Sequence, residues 1–260
     1  MIERLAERYL VIRPPSGLSG DMCVTGLAAL AGLNSHDLNT LIAQIHLPAL
    51  DNSVALADHS VQNIAGYQLQ VQLPREHSHR SWADIKLIIS NSEMSDRAKG
   101  WALDAFHLLA KAEAKVHNSK VDDVRFHEVG ALDSILDICL AGQILDVIAP
   151  DTIICGALPI CDGQIRCEHG LLASPAPAVQ ELLVDVPVYG IAAHGETVTP
   201  TALALLKAWQ VEFGNWPQIT IRKIVRSYGQ KIIPDVPNGA LFTLGELHDI
   251  QSDQNFTPPD

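Results

Sequence analysis

The sequence predicts an α/β protein with a mixed or mostly parallel sheet, flanking helices and room for two subdomains. Segments typical of strands alternate with segments typical of helices through most of the chain, which favours a sheet covered by helices. The 260 residues, 47% of them hydrophobic, are also enough to bury a large core. We expect one region over residues 1–250, with a candidate subdomain break near 74–95, and a disordered tail over 251–260.

The individual elements follow from periodicity and capping residues. Residues 9–13 (YLVIR) predict a short buried strand, and GYQLQVQLP at 66–74 alternates apolar residues with Gln, as a half-exposed strand does. Helices are predicted at 34–47, 81–89 and 95–117, with capping residues at the first two, and another helix carries Asp133 and Asp137 in its first turns and runs to about Val147. The stretch 48–66 shows little periodicity and predicts irregular backbone.

Charge and cysteine content exclude some classes of protein. Eighteen basic and thirty acidic residues give a net charge of -12, which argues against a generic nucleic-acid or anionic-membrane binder. A local cationic pocket for one phosphorylated ligand remains compatible with this balance. Five Cys, no N-terminal secretion signal and no apolar run of membrane-spanning length predict a cytoplasmic protein with reduced thiols.

The segment RFHEVGALDSILD, residues 125–137, concentrates polar groups in an otherwise apolar part of the chain. His127 and Glu128 precede a glycine, and Asp133 and Asp137 lie four residues apart, so they share one face of a helix. One interpretation is a site where a strand passes into a helix. The alternative is that the acidic residues only cap and solvate the helix start.

Two further glycine-containing turns precede predicted helices. PPSGLSGDM at 14–22 follows a strand and aims backbone N–H groups at an anion, although it matches neither the dinucleotide fingerprint nor the P-loop. Asp21 would repel a phosphate and suits a metal ion or a helix cap. The turn at 195–201 brings Glu196, Thr199 and Thr201 to another helix start, where Thr199 or Thr201 could equally be a plain N-cap. For these turns a binding cradle and a simple turn both stay open.

Histidines supply the remaining candidate ligands. His77 and His79 would project to the same side of an extended segment and could collect a divalent metal, or they could lie in a solvated loop. A long polar loop after the strand at 151–155 ends in Glu168 and His169. The absence of a G-x-S-x-G motif disfavours acyl transfer.

Helix starts of an α/β fold gather along one edge of the sheet, where ligands bind. If these do, imidazole and carboxylate groups would suit nickel, manganese, zinc or iron. The candidate metal ligands are His127, Glu128, Asp133, Asp21, His169, His77, His79 and Glu196. The candidate cofactor-binding residues are Ser16, Ser19, Gly20, Thr199 and Thr201, and no catalytic residue is assigned.

Several segments together resemble the LarC family of nickel insertion proteins. In order they are YLVIRPPSGLSGDM, HSHRSWADI, AKAEAKVH, RFHEVGALDSILDI, ALPICDGQIRCEHGLLASPAPAVQELL, VPVYG and GETVTPTALALLKAW. The resemblance covers most of the chain, from about Tyr9 to Leu247, and its HEVGAxDSIxDI and VTPT segments are specific.

The resemblance implies a nickel chelatase of the lyase class. Such a protein inserts nickel into a pyridinium bisthiocarboxylate mononucleotide and uses CTP with manganese or magnesium. It also implies a homo-oligomer, and a phosphate or metal site at Ser19, Gly20, Asp21, His127, Glu128 and Asp133, with metal collection at His77 and His79.

The chain departs from the family pattern in four places. Arg13 stands where an Asp is usual, the His-rich run is reduced to His77 and His79, and SYGQ at 227–230 replaces a glycine-rich motif. The family's C-terminal region, linked to CTP use and assembly, is also expected to be absent. One hypothesis is therefore nickel insertion, alone or with a separate C-terminal partner chain. The others are a non-catalytic relative that binds a phosphorylated or nucleotide-like ligand, and a metal-dependent hydrolase.

Overall fold

The computed structural model describes residues 7–74, 80–126, 130–167 and 170–247. The five candidates His77, His79, His127, Glu128 and His169 lie outside the described residues, as does the tail predicted at 251–260. The helices are α1 (Gly20–Ala31), α2 (Ser35–Ala43), α3 (Trp82–Asn91), α4 (Asp96–Val116), α5 (Leu132–Ile148), α6 (Pro177–Leu182) and α7 (Pro200–Ala208). The strands are β1 (Arg8–Arg13), β2 (Val54–Val61), β3 (Ile64–Val71), β4 (Thr152–Cys155), β5 (Leu158–Ile160), β6 (Gln164–Cys167), β7 (Gly170–Ala173), β8 (Val188–Gly190), β9 (Glu212–Phe213), β10 (Ile219–Tyr228) and β11 (Ala240–Leu247).

A seven-stranded sheet organises the fold, in the order β2-β3-β10-β11-β1-β4-β9. The pairs β3–β10, β1–β4 and β4–β9 are parallel, and β2–β3, β10–β11 and β11–β1 are antiparallel. The predicted α/β class is therefore confirmed, and the sheet is mixed rather than mostly parallel. Two small two-stranded sheets, β5–β8 and β6–β7, stand beside it.

The helices lie in successive layers on the large sheet. Helix α1 packs on β3, β10 and β11, helix α5 packs on α1, and α4 packs on α5. Because α5 has neighbours on opposite sides, most of its residues are buried and its sequence is apolar nearly all round, as expected for an internal helix. None of the described helices combines the length and the apolar composition that a membrane span requires.

Close approach of α1 to the sheet depends on Gly26. A Cβ placed on Gly26 would lie 2.3 Å from Cδ2 of Phe242, a fully buried ring on β11. We expect Gly26→Ala to lower the free energy of unfolding by about 1–2 kcal/mol, because overpacking outweighs the gain in helix propensity. Urea unfolding would measure this. Gly100→Ala in α4 is the matched control, since no atom lies within 4 Å of its added Cβ, and it should be neutral or stabilising; equal effects would contradict the prediction.

The prediction of irregular backbone at 48–66 is wrong. This stretch contains β2 and the start of β3, which pair as an antiparallel hairpin. Gln62 and Asn63 form its two-residue turn with φ of 52° and 63°, the left-handed values that such hairpin turns require. The usual signal, a glycine in the turn, is missing, and this explains why the sequence pattern did not reveal the hairpin.

Candidate functional site

The two glycine turns at 14–19 and 195–199 lie side by side. The Leu18 N–H donates to the Thr197 carbonyl at 2.9 Å, and the Thr199 N–H donates to the Leu18 carbonyl at 3.1 Å. Gly17, with φ of 137°, permits this contact, because a Cβ there would come within 1.9 Å of the Thr197 oxygen. Helices α1 and α7 therefore begin next to each other, as predicted for turns at one edge of an α/β sheet.

The start of α5 joins the same place. Gly20, the first residue of α1, faces the side chains of Asp137 and Thr201, since a Cβ on Gly20 would lie 2.4 Å from Oδ2 of Asp137 and 2.8 Å from Cγ2 of Thr201. The N-cap residues of α1 and α5, Ser19 and Ala131, make no side-chain capping bond to their helices. The positive ends of both helix dipoles thus face a shared space without a side-chain cap.

This shared space is a cavity of about 370 Å³. The loop after β10 closes its other side, with Gln230, Lys231 and Asn238 among the lining residues. The cavity brings together all the described candidates: Ser16, Ser19, Gly20, Asp21, Asp133, Glu196, Thr199 and Thr201. Their assignment as ligands stays a prediction. The fold does place them close together, as the sequence predicted.

Residues absent from the candidate sets above also line the cavity, notably Asp137, Ser134 and Lys231. The i, i+4 spacing that places Asp137 beside Asp133 was the available signal for the first of them. Lys231 follows β10 in a segment whose sequence predicts only a Pro-rich turn. Its position depends on how that strand pairs in the sheet.

Carboxylates dominate the electrostatics of the cavity. Desolvation, and then repulsion by Asp21 and Asp133, raise the pKa of Asp137 well above its usual range. Asp21 is held by the Ser19 hydroxyl and by the Gln230 N–H, whose nitrogen lies 3.2 Å from Oδ2. Desolvation also raises the pKa of the Cys23 thiol well above its ordinary value, so this buried sulfur stays protonated.

The described carboxylates do not by themselves enclose a metal. In residues 7–74, 80–126, 130–167 and 170–247, no group of three or more His, Cys, Asp or Glu side chains is arranged to hold a metal ion. An isolated cluster of carboxylates still attracts cations, because each bound positive charge relieves their mutual repulsion.

The unusual Arg13 lies away from the cavity. Its Nη1 donates to the Gly214 carbonyl at 2.7 Å, and its guanidinium lies over the Trp216 ring, 5.0 Å from the centroid. Arg13 is not among the described residues that line the cavity. In the divergent segment 227–230, the backbone N–H of Gln230 donates a hydrogen bond to Asp21. This segment therefore still supplies one backbone donor at the start of α1.

The fold and this cavity define a class of α/β protein whose helix starts and carboxylates surround one ligand site. Residues 10–257 match the family described as nickel insertion protein. A Geotalea daltonii protein provisionally named a nickel insertion protein is 38% identical over 231 residues, covering 89% of this chain and 59% of its own length. The pyridinium-3,5-bisthiocarboxylic acid mononucleotide nickel insertion protein of Desulfitobacterium hafniense is 37% identical over 239 residues, covering 90% of this chain and 57% of its own. No solved structure gives a significant match.

The chain belongs to the nickel insertion protein family, the LarC family that its motifs resemble. It spans less than two thirds of the length of the curated relatives named above.

Proposed function

We propose that this chain takes part in nickel insertion into a pyridinium-3,5-bisthiocarboxylic acid mononucleotide, acting as a chelatase. The observation that carries the proposal is a cavity in which the starts of α1, α5 and α7 meet three aspartates. Nickel is the cargo in this reaction. A site that hands over its cargo has to bind the ion only weakly, and an incomplete carboxylate set suits that requirement.

The residues divide between two tasks in this proposal. Asp21, Asp133 and Asp137 attract the metal, and Glu196 stands at the rim of the same cavity. The predicted ligands His127, Glu128 and His169 would supply the imidazole and further carboxylate groups that nickel favours. His77 and His79 would collect the ion before it reaches the site. Ser16, Ser19, Gly20, Thr199 and Thr201 would hold the organic ligand.

CTP with manganese or magnesium enters as an extension of the proposal. The matched residues cover 59% and 57% of the two relatives, and we propose that nucleotide use involves the part of their length that these residues do not cover. The cytoplasm is the compartment that we propose, because Cys23, Cys139, Cys155 and Cys161 are all free thiols.

The alternative is a non-catalytic relative. It draws on Arg13, which stands where the family usually has an Asp and whose Nη1 donates to the Gly214 carbonyl outside the cavity lining. No feature of the described cavity favours a hydrolase over a metal carrier.

The decisive experiment is an anaerobic metallation assay of the purified chain with nickel, the mononucleotide, CTP and manganese, with and without a C-terminal partner region. We expect nickel transfer, and we expect Asp133→Asn to reduce its rate by at least about 10- to 100-fold, since lost second-shell groups alone cost that much at metal sites. Asp122→Asn, at an exposed position on a short helical turn, is the charge-matched control. Failure of the complete mixture to metallate, or equal rates in both variants, would refute the proposal.

A further inference from the structure

The described cavity has two chemically different sides. On the carboxylate side, Asp21, Asp133 and Asp137 lie around the starts of α1 and α5. On the lysine side, Ser16, Thr201 and Lys231 lie around the paired turns that precede α1 and α7, and the second of these turns also carries Glu196. Gly20 lies at the junction, with Asp137 and Thr201 both in contact range of a Cβ at that position.

Two hydroxyl groups on the lysine side lack a partner although their residues are nearly buried. Ser16 is 4% exposed and Thr201 is 8% exposed, and both line the cavity. Neither hydroxyl makes a hydrogen bond with any described residue. Neither oxygen is among the fully buried side-chain atoms that lack a partner, so both hydroxyls open onto the cavity, where they can donate to a ligand.

Thr201 stands in the first turn of α7, and the neighbouring capping interaction is already used. The Thr199 hydroxyl accepts from the Ala202 N–H at 3.2 Å, and Pro200 has no N–H to offer. The Thr201 N–H and hydroxyl therefore both belong to the positive end of a nine-residue helix. A helix start that presents these donors to a cavity favours a phosphate group.

Lys231 supplies the positive charge on this side. Among the described residues that line the cavity, it carries the single cationic side chain. Its Nζ lies against the turn at Gly195, 2.9 Å from where a Cβ on that glycine would be. The side chain is exposed, so its ammonium can reach an incoming ligand without breaking a buried contact.

We infer that the lysine side of the cavity binds the phosphate of the mononucleotide, which directs the pyridinium ring and its thiocarboxylates toward the carboxylate side. The inference rests on the proposed function for the identity of the ligand. The lysine side sets one ammonium against one carboxylate, Glu196, whereas the opposite orientation would place a phosphate among three aspartates with no cationic side chain beside them, where Coulomb repulsion is stronger. The inferred orientation instead brings the sulfur groups to the side that attracts the metal.

The test measures phosphate recognition in the absence of metal. Calorimetric titrations in EDTA would compare a pyridinium mononucleotide, nicotinate mononucleotide, with its phosphate-free nucleoside. We expect wild-type protein to prefer the nucleotide by about 10-fold or more, since hydrogen bonds to charged groups contribute on that scale. Lys231→Ala should remove most of this preference and leave the Kd for the nucleoside within about 2-fold of wild type. Thr201→Val should act in the same direction with a smaller effect.

Lys86→Ala is the matched control. Lys86 is exposed on α3 outside the cavity, and its substitution removes the same charge. The inference is overturned if Lys231→Ala weakens both ligands equally, if wild-type protein does not bind the nucleotide more tightly than the nucleoside, or if a preference arises only when a divalent metal is added. The last result would place the phosphate on a metal at the carboxylate side.

Failure of this inference and failure of the proposed function give different results. Nickel insertion that proceeds in Lys231→Ala with an unchanged KM would keep the proposed function and overturn this inference. Phosphate-dependent binding that needs Lys231, together with no nickel transfer in the complete mixture, would keep this inference and overturn the proposed function.

Discussion

Gly17→Ala is expected to destabilise the protein by about 3 kcal/mol or more, from backbone strain combined with overpacking. The φ of Gly17 is 137°, a value that residues with a Cβ rarely adopt. The added carbon would also lie 1.9 Å from the Thr197 carbonyl oxygen, which belongs to the backbone and cannot rotate away. The chain must therefore separate the two turns, and their hydrogen bonds between Leu18 and residues 197 and 199 would break.

Urea unfolding followed by circular dichroism would measure this loss, and nickel insertion by the folded fraction would report on the cavity. Gly190→Ala is the control, because Gly190 is exposed and no atom lies within 4 Å of its added Cβ. We expect that control to stay within about 0.5 kcal/mol of wild type, as surface substitutions do. A Gly17→Ala variant of wild-type stability would mean that the paired turns do not depend on this contact.

Local signals in the sequence predicted the parts of the fold that depend on near neighbours. Asn34 and Ser81 each form a reciprocal capping box, with Asp37 and Asp84 respectively, where the pattern places helix starts. The Ser81 hydrogen bonds lower the pKa of Asp84, which shows that the capping carboxylate is favoured in its charged form. Such interactions span three residues and can be deduced from spacing alone.

The cavity was only partly predictable, because its walls come together through long-range pairing. Leu18 and Val198 form a parallel β-bridge, and this pairing depends on the packing of two helices that are far apart in sequence. Lys231 reaches the cavity because β10 ends beside α1, where Ser227 donates a hydrogen bond to the Met22 carbonyl at 2.7 Å. No periodicity within residues 219–239 encodes that placement. Residue types predicted the chemistry, and tertiary pairing decided which groups meet.

Asp137→Asn is expected to make the protein more stable at neutral pH and to abolish most nickel insertion. The pKa of Asp137 is raised by desolvation and by Asp21 and Asp133, so its charged form is disfavoured in the folded state. Above the ordinary pKa of an aspartate, the unfolded chain has released this proton while the folded chain still binds it. The folded state thus binds more protons, and the free energy of unfolding falls as pH rises from about 4 toward the raised pKa of Asp137.

The neutral amide removes this penalty. The variant should match wild type near pH 4, and its advantage should grow toward neutral pH, reaching about 1 kcal/mol or a Tm increase of about 2–4 °C. Thermal unfolding at several pH values, with exposed Asp122→Asn as the charge-matched control, would measure the difference. A constant offset at every pH would contradict the assigned cause.

Nickel should reverse the order of stability if Asp137 serves the metal. A cation that binds the folded state alone stabilises it by about 2.7 kcal/mol at a concentration 100 times its Kd. Wild-type protein should therefore gain stability on adding nickel, whereas Asp137→Asn should gain little and should insert nickel at least about 10- to 100-fold more slowly. Equal gains in both proteins would assign the raised pKa to packing alone. Under the proposed function, a stability cost that the bound metal relieves is the reason for three carboxylates to stay together at the starts of α1 and α5, where an amide would fold more readily.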